Sequence, residues 1–177
     1  SCRHFATVAR RRPERLSQAE LVSEPAIVRD VLPNGLRVLT ERMPHVRSVS
    51  IGVWLTRGSR HESAAQSGIA HFVEHMAFNG TTLYPKQALV QFLESIGMRF
   101  GADVNAATSF DQTVFMLEIP TDAPDVLDKS MTILEDWAHN VTFDPTEIDK
   151  ERGVIEEEWR LGRGAGARLQ DKQFPVL

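Results

Sequence analysis

Cysteine is almost absent from this chain. Cys2 is the single one among 177 residues, so an intrachain disulfide, a cysteine-rich metal cluster and a metal site completed by a cysteine downstream of its histidines are all excluded. No apolar run approaches the roughly 20 residues that a bilayer-spanning helix needs, which argues against a membrane span. Positive charge is outnumbered once the opening segment is passed. Residues 1–18 hold Arg3, Arg10, Arg11, Arg12 and Arg15 against one glutamate, within a chain whose formal net charge is −4. The remainder is acidic, which argues against nucleic acid as a partner. The opening has the arginine-rich, acid-poor character of an organellar transit peptide and no apolar segment of the secretory kind, so it does not define a compartment. Residues 1–24 are expected to be a disordered basic tail. The chain has no internal repeat and no low-complexity segment.

What is present is 42% hydrophobic and 25% charged sequence, enough for one globular domain over residues 25–177. Residues 27–32 and 36–39 are β-rich runs flanking Asn34-Gly35, which predicts a hairpin. Val49, Ile51, Val53 and Leu55 alternate with Ser50, Gly52 and Trp54, predicting a strand with one apolar face. Residues 58–66 are small and polar, hence a loop. Ser67 is placed to cap a following helix that Asn79-Gly80 ends. Pro85 opens a second helix through Leu89, Phe92, Leu93 and Ile96, stopped by Gly97. Strands follow over 99–109 and 113–119, then a helix from Asp122 and Pro124 through Val126, Ile133, Leu134 and Trp137. A last helix has Asp144 as its N-cap, Pro145 at its first position and Glu147 closing a capping box. The methionines and tryptophans are read as core residues. This order predicts an α+β fold in which helices pack on a largely antiparallel sheet.

The chemistry centres on His71-Phe72-Val73-Glu74-His75. On a helix, residues four apart lie one turn above each other, so both imidazoles can bind one ion. Neutral imidazole suits zinc, whose catalytic sites keep three protein ligands and an open fourth position. Glu74 leans over the same face without being a ligand and is the candidate general base for a metal-acidified water. Two histidines and a glutamate also fall at this spacing by accident on a solvated face, so a second element is needed.

That element is the acidic run of the last helix, with Glu151, Glu156, Glu157 and Glu158. Glu151 and Glu158 share a face two turns apart, about 10 Å along the axis. Only one of them can touch the ion. The other can hold a ligating histidine or position the helix. By contrast, the spaced glycines Gly162, Gly164 and Gly166 follow a helix instead of a strand, which argues against a dinucleotide or phosphate loop; close packing or a flexible join is expected.

The order of the His71–His75 motif, Phe78-Asn79-Gly80-Thr81, Asn105-Ala106-Ala107-Thr108-Ser109 and Glu151-Arg152-Gly153-Val154-Ile155-Glu156-Glu157-Glu158 resembles the pitrilysin/insulysin family of metallopeptidases, which includes mitochondrial processing peptidase. The resemblance covers about residues 31–177. It implies a zinc metalloendopeptidase with one Zn2+ per chain, held by His71, His75 and Glu158, with Glu151 supporting and Glu74 as base. It also implies that the strand bearing Asn105 and Ala106 pairs with an extended peptide or unfolded polypeptide substrate by β-augmentation. A second, related domain or subunit is expected to close the cleft, so the catalytic domain is read as incomplete at residue 177. The alternative within the family is a non-catalytic partner or assembly subunit. Against it, His71, Glu74 and His75 are all intact.

Overall fold

The computed structural model describes residues 27–85, 88–95, 98–99, 101, 103–121 and 124–173. The basic tail with Cys2, Ile96, Gly97 and Asp122 lie outside the described residues. The chain divides into two compact units, residues 1–47 and residues 48–177.

In the first unit, β1 (Ile27–Val31) and β2 (Arg37–Glu41) form the expected antiparallel hairpin, Val31 opposite Arg37. Its turn is closed by the Leu36 amide donating to Asn34 Oδ1 at 3.0 Å and the Gly35 amide to the Leu32 carbonyl at 2.8 Å.

The second unit is a mixed α+β layer. Its strands are β3 (Ser48–Leu55), β4 (Val104–Thr108) and β5 (Thr113–Pro120), antiparallel in the order β3-β5-β4. The helices are α1 (Ile69–Asn79), α2 (Ala88–Ser95), α3 (Pro124–His139), α4 (Pro145–Gly162) and α5 (Ala165–Gln173). Alternation along β5 buries Phe115, Leu117 and Ile119 against Ala77 of α1, Leu89 and Leu93 of α2, and Val126, Ile133, Leu134 and Trp137 of α3. Phe78, Phe115 and Trp137 meet there as an aromatic cluster, with Phe78 edge-on to Trp137 at 5.0 Å. Each such buried side chain contributes about 1.5–3 kcal/mol by leaving water. This core fixes the base of α1 on the sheet.

Several expectations are corrected or refined. The strand predicted from Arg99 begins only at Val104. Before it, the Arg99 carbonyl accepts from the Asp103 amide, the Asp103 carboxylate accepts from the Arg99 amide, and Gly101 takes φ +84°, so the strand cannot start at Arg99. The loop over 58–66 contains two short 3-10 turns, Ser59–His61 and Ala64–Gln66. It is pressed onto the β4–β5 turn, where a Cβ on Gly58 would come within 2.2 Å of the Ser109 carbonyl oxygen. Of the two readings of the glycines at 162, 164 and 166, close packing falls, because a Cβ at each would meet open space; they stand where α4 joins the unanticipated α5. Met43, Met131, Trp54 and Trp159 are exposed and not core, Trp54 lying over Gly52 and Trp159 under the Arg163 guanidinium at 4.5 Å.

Candidate metal centre

The cap of α1 lies one residue downstream of the one expected from sequence. Gly68, not Ser67, is the N-cap, and no side chain of the cap residue bonds the helix. Instead Glu62 places its carboxylate on the helix start, accepting from the Gly68 amide at 2.7 Å and the Ala70 amide at 2.6 Å. An anion with two charge-assisted bonds at the positive end of a helix outcompetes a neutral hydroxyl. Glu62→Ala is therefore expected to lower stability by about 1–2 kcal/mol, the usual loss for a helix cap, read as a lower midpoint in denaturant unfolding. An unchanged midpoint would show that these two bonds add nothing net.

Helix α1 carries the histidines into a seam with α4. The two helices run antiparallel, because Asn79 at the end of α1 reaches Glu151 while His71 near its start reaches Glu158. The connection into α4 is pinned to the end of α1 by the Thr142 amide and hydroxyl, which both donate to the Gly80 carbonyl. A lone bridge between Thr81 and Val141 adds to it. Asp144 then caps α4 as expected, its Oδ1 accepting from the amides of Thr146 and Glu147.

In this seam His71 Nε2 and His75 Nε2 stand 3.1 Å apart. Glu158 Oε2 lies 3.6 Å from the first and 3.5 Å from the second. The three donor atoms fall within 4.8 Å of one another. Tetrahedral ligands about 2.0–2.1 Å from one zinc ion are separated by about 3.3 Å, so these spacings fit such an ion.

Glu151 occupies a different place. Its Oε1 is 2.7 Å from His75 Nδ1 and its Oε2 accepts from Asn79 Nδ2 at 2.7 Å. An ionised carboxylate can only accept, so this contact puts the imidazole proton on Nδ1 and leaves the Nε2 lone pair facing Glu158 and His71.

Glu74 is buried, 9% exposed, and its Oε2 accepts from the Thr108 hydroxyl at 2.5 Å. Asn105 and Ala106 lie on β4, which has no strand on its outer side among the described residues. They are not in the histidine cluster. Asn105 is exposed, and its Oδ1 accepts from the Ala106 amide at 2.9 Å.

Two side chains at the site had no role assigned from sequence. Asn79 was read only as a helix stop, yet it stands four residues after His75 on the same face, a spacing that could have disclosed it. Thr108 had no local signal, since its partner lies on a distant helix.

The cluster is open. His71 and Glu158 are 39% and 48% exposed, against 17% and 14% for His75 and Glu151. A cavity of about 280 Å³ lined by Leu55, Arg57, Ile69, Val73 and Phe115 is lined by none of the clustered residues. Among the described residues no helix is long and apolar enough to cross a membrane.

The chain is 40% identical over 167 residues to the probable zinc protease PqqL of Escherichia coli, covering 93% of this chain and 18% of that protein. It is 40% identical over 154 residues to the mitochondrial-processing peptidase subunit beta of Blastocladiella emersonii, covering 83% of this chain and 32% of that one. The crystal structure of the first half of the periplasmic protease PqqL from Escherichia coli superposes with a TM-score of 0.80 at 40% identity, over 84% of this chain and 32% of that one. The chain thus spans under a third of the length of these relatives. Residues 37–161 match the insulinase family, peptidase family M16, and the chain belongs to that family.

Proposed function

We propose that this chain carries the metal centre of a zinc metalloendopeptidase. The observation that carries the reading is the convergence of His71, His75 and Glu158 on one point of the α1–α4 seam. Glu74 lies between the two histidines on α1. His71, His75 and Glu158 would hold the ion, and Glu151 would hold His75 in the tautomer that can ligate. A zinc ion there supplies Lewis acidity, lowering the pKa of a water and polarising the peptide carbonyl.

The chain's own residues do the rest. Glu74 accepts the proton of the attacking water as its oxygen adds to the carbonyl carbon, then delivers it to the amine as the C–N bond breaks. The free side of β4 offers backbone groups for an extended peptide. There the Ala106 backbone would pair with substrate once the Asn105 carboxamide, which now accepts from its amide, releases it. The exposure of His71 and Glu158 suits a cleft closed by a second domain or subunit, which would exclude water and hold the peptide.

The test is zinc content and cleavage of an unstructured peptide by the full-length protein. One zinc per chain is expected, with cleavage lost on chelation and restored by zinc. Full cleavage in metal-free protein would end this reading.

A further inference from the structure

We propose that Thr108 is a positioning residue for Glu74, tying the base to the strand edge on which the substrate would lie. The inference rests on the peptidase reading above and concerns a residue to which that reading gives no part.

The hydroxyl of Thr108 is 2.5 Å from Glu74 Oε2, the shortest side-chain bond at the site. Each threonine hydroxyl has one proton to give. Thr113, opposite Thr108 in the β4–β5 register, has its Oγ1 3.3 Å from that of Thr108 and 3.1 Å from the Arg57 carbonyl. A carbonyl can only accept, so the Thr113 proton goes to Arg57. The Thr108 proton is left for Glu74. With Oε2 held in this way, Oε1 has no hydrogen-bond partner among the described residues and is the oxygen free to meet a water. Glu74 is nearly buried, and a carboxylate so placed depends strongly on such a bond to keep one orientation.

The backbone of β4 adds the second link. Asp103 accepts from the Glu118 amide and the Ser109 amide donates to the Gln112 carbonyl, so the odd-numbered residues face β5. The even-numbered ones face outward. Val104 is consumed by the preceding turn, its amide and carbonyl bonding Arg99 and Gly101. The outward groups left for a peptide are those of Ala106 and Thr108. Thr108 therefore presents its main chain to the substrate edge and its side chain to the base, which sets the distance between the base and the peptide backbone.

The experiment compares Thr108→Val and Thr108→Ser in the full-length, zinc-loaded protein. Valine keeps the shape and removes the proton, so kcat should fall about 10- to 100-fold with KM within about twofold and zinc content unchanged. Serine restores the hydroxyl and should return kcat to within about threefold of the parent. A valine variant as fast as the parent, or a serine variant as slow as valine, overturns the proposal. A crystal structure of T108V gives a readout independent of turnover: Glu74 should leave its position or occupy several rotamers. Glu74 unmoved in that structure also overturns the proposal. If the parent protein cleaves no peptide, the peptidase reading fails, and the position of Glu74 in T108V alone decides what Thr108 does.

Discussion

Glu74→Gln is expected to lower peptide hydrolysis by about two to four orders of magnitude while leaving zinc bound, the usual range for removing a positioned general base. The amide is nearly the same size as the carboxylate, and its oxygen can still accept from Thr108 Oγ1, so the surroundings of a buried side chain are preserved. What is lost is the ability to take a proton from water. His71, His75 and Glu158 do not depend on Glu74 for their positions, since His75 is held by Glu151 and α4 by the Asn79 and Thr142 contacts. Metal analysis and steady-state kinetics on the same preparation check both halves. Loss of zinc together with activity would mean that Glu74 belongs to the ligand set, and full activity would remove it from the chemistry.

Glu158→Gln is expected to weaken zinc binding by more than about a hundredfold, and Glu151→Gln by about 10- to 100-fold, because losing a ligand charge exceeds losing a supporting contact. The geometry sets this order. Glu158 Oε2 stands 3.5–3.6 Å from both Nε2 atoms. Glu151 is engaged on the far nitrogen of His75 and on Asn79. A glutamine at 151 still offers an oxygen to His75 Nδ1, so the tautomer survives in part. Competition with a chelator of known affinity measures both variants. The reverse order would make Glu151 the ligand and Glu158 the support.

Much of the fold was legible because it is local. Alternation predicted β3 and β5, and 3.6-residue spacing predicted α3 with Val126, Ile133, Leu134 and Trp137 inward. Asp144 was legible as a cap because its partners are the next two to three amides. The misses have the opposite character. Helix α5 buries no residue, so it carries no apolar stripe to find. The cap of α1 comes from Glu62, six and eight residues from the amides it binds, beyond the spacing that a cap pattern describes. The start of β4 was misplaced although Gly101 and Asp103 are poor strand formers; the Asp103 carboxylate and Gly101 make the turn from Arg99 to Asp103.

The site divides the same way. Sequence alone determined that His71 and His75 share a face with Glu74 between them, and that Glu151 and Glu158 share a face of another helix, because helical periodicity is a property of adjacent residues. It also carried the family, through motifs whose order is independent of how the elements pack. Only the tertiary structure decided which glutamate meets which imidazole nitrogen. That choice depends on α4 lying antiparallel to α1, with partners 72 and 76 residues apart in the chain. Only it brought Thr108, 34 residues from Glu74, onto the carboxylate. Contacts across such separations are set by the packing of a shared core, and no short window of sequence contains both partners.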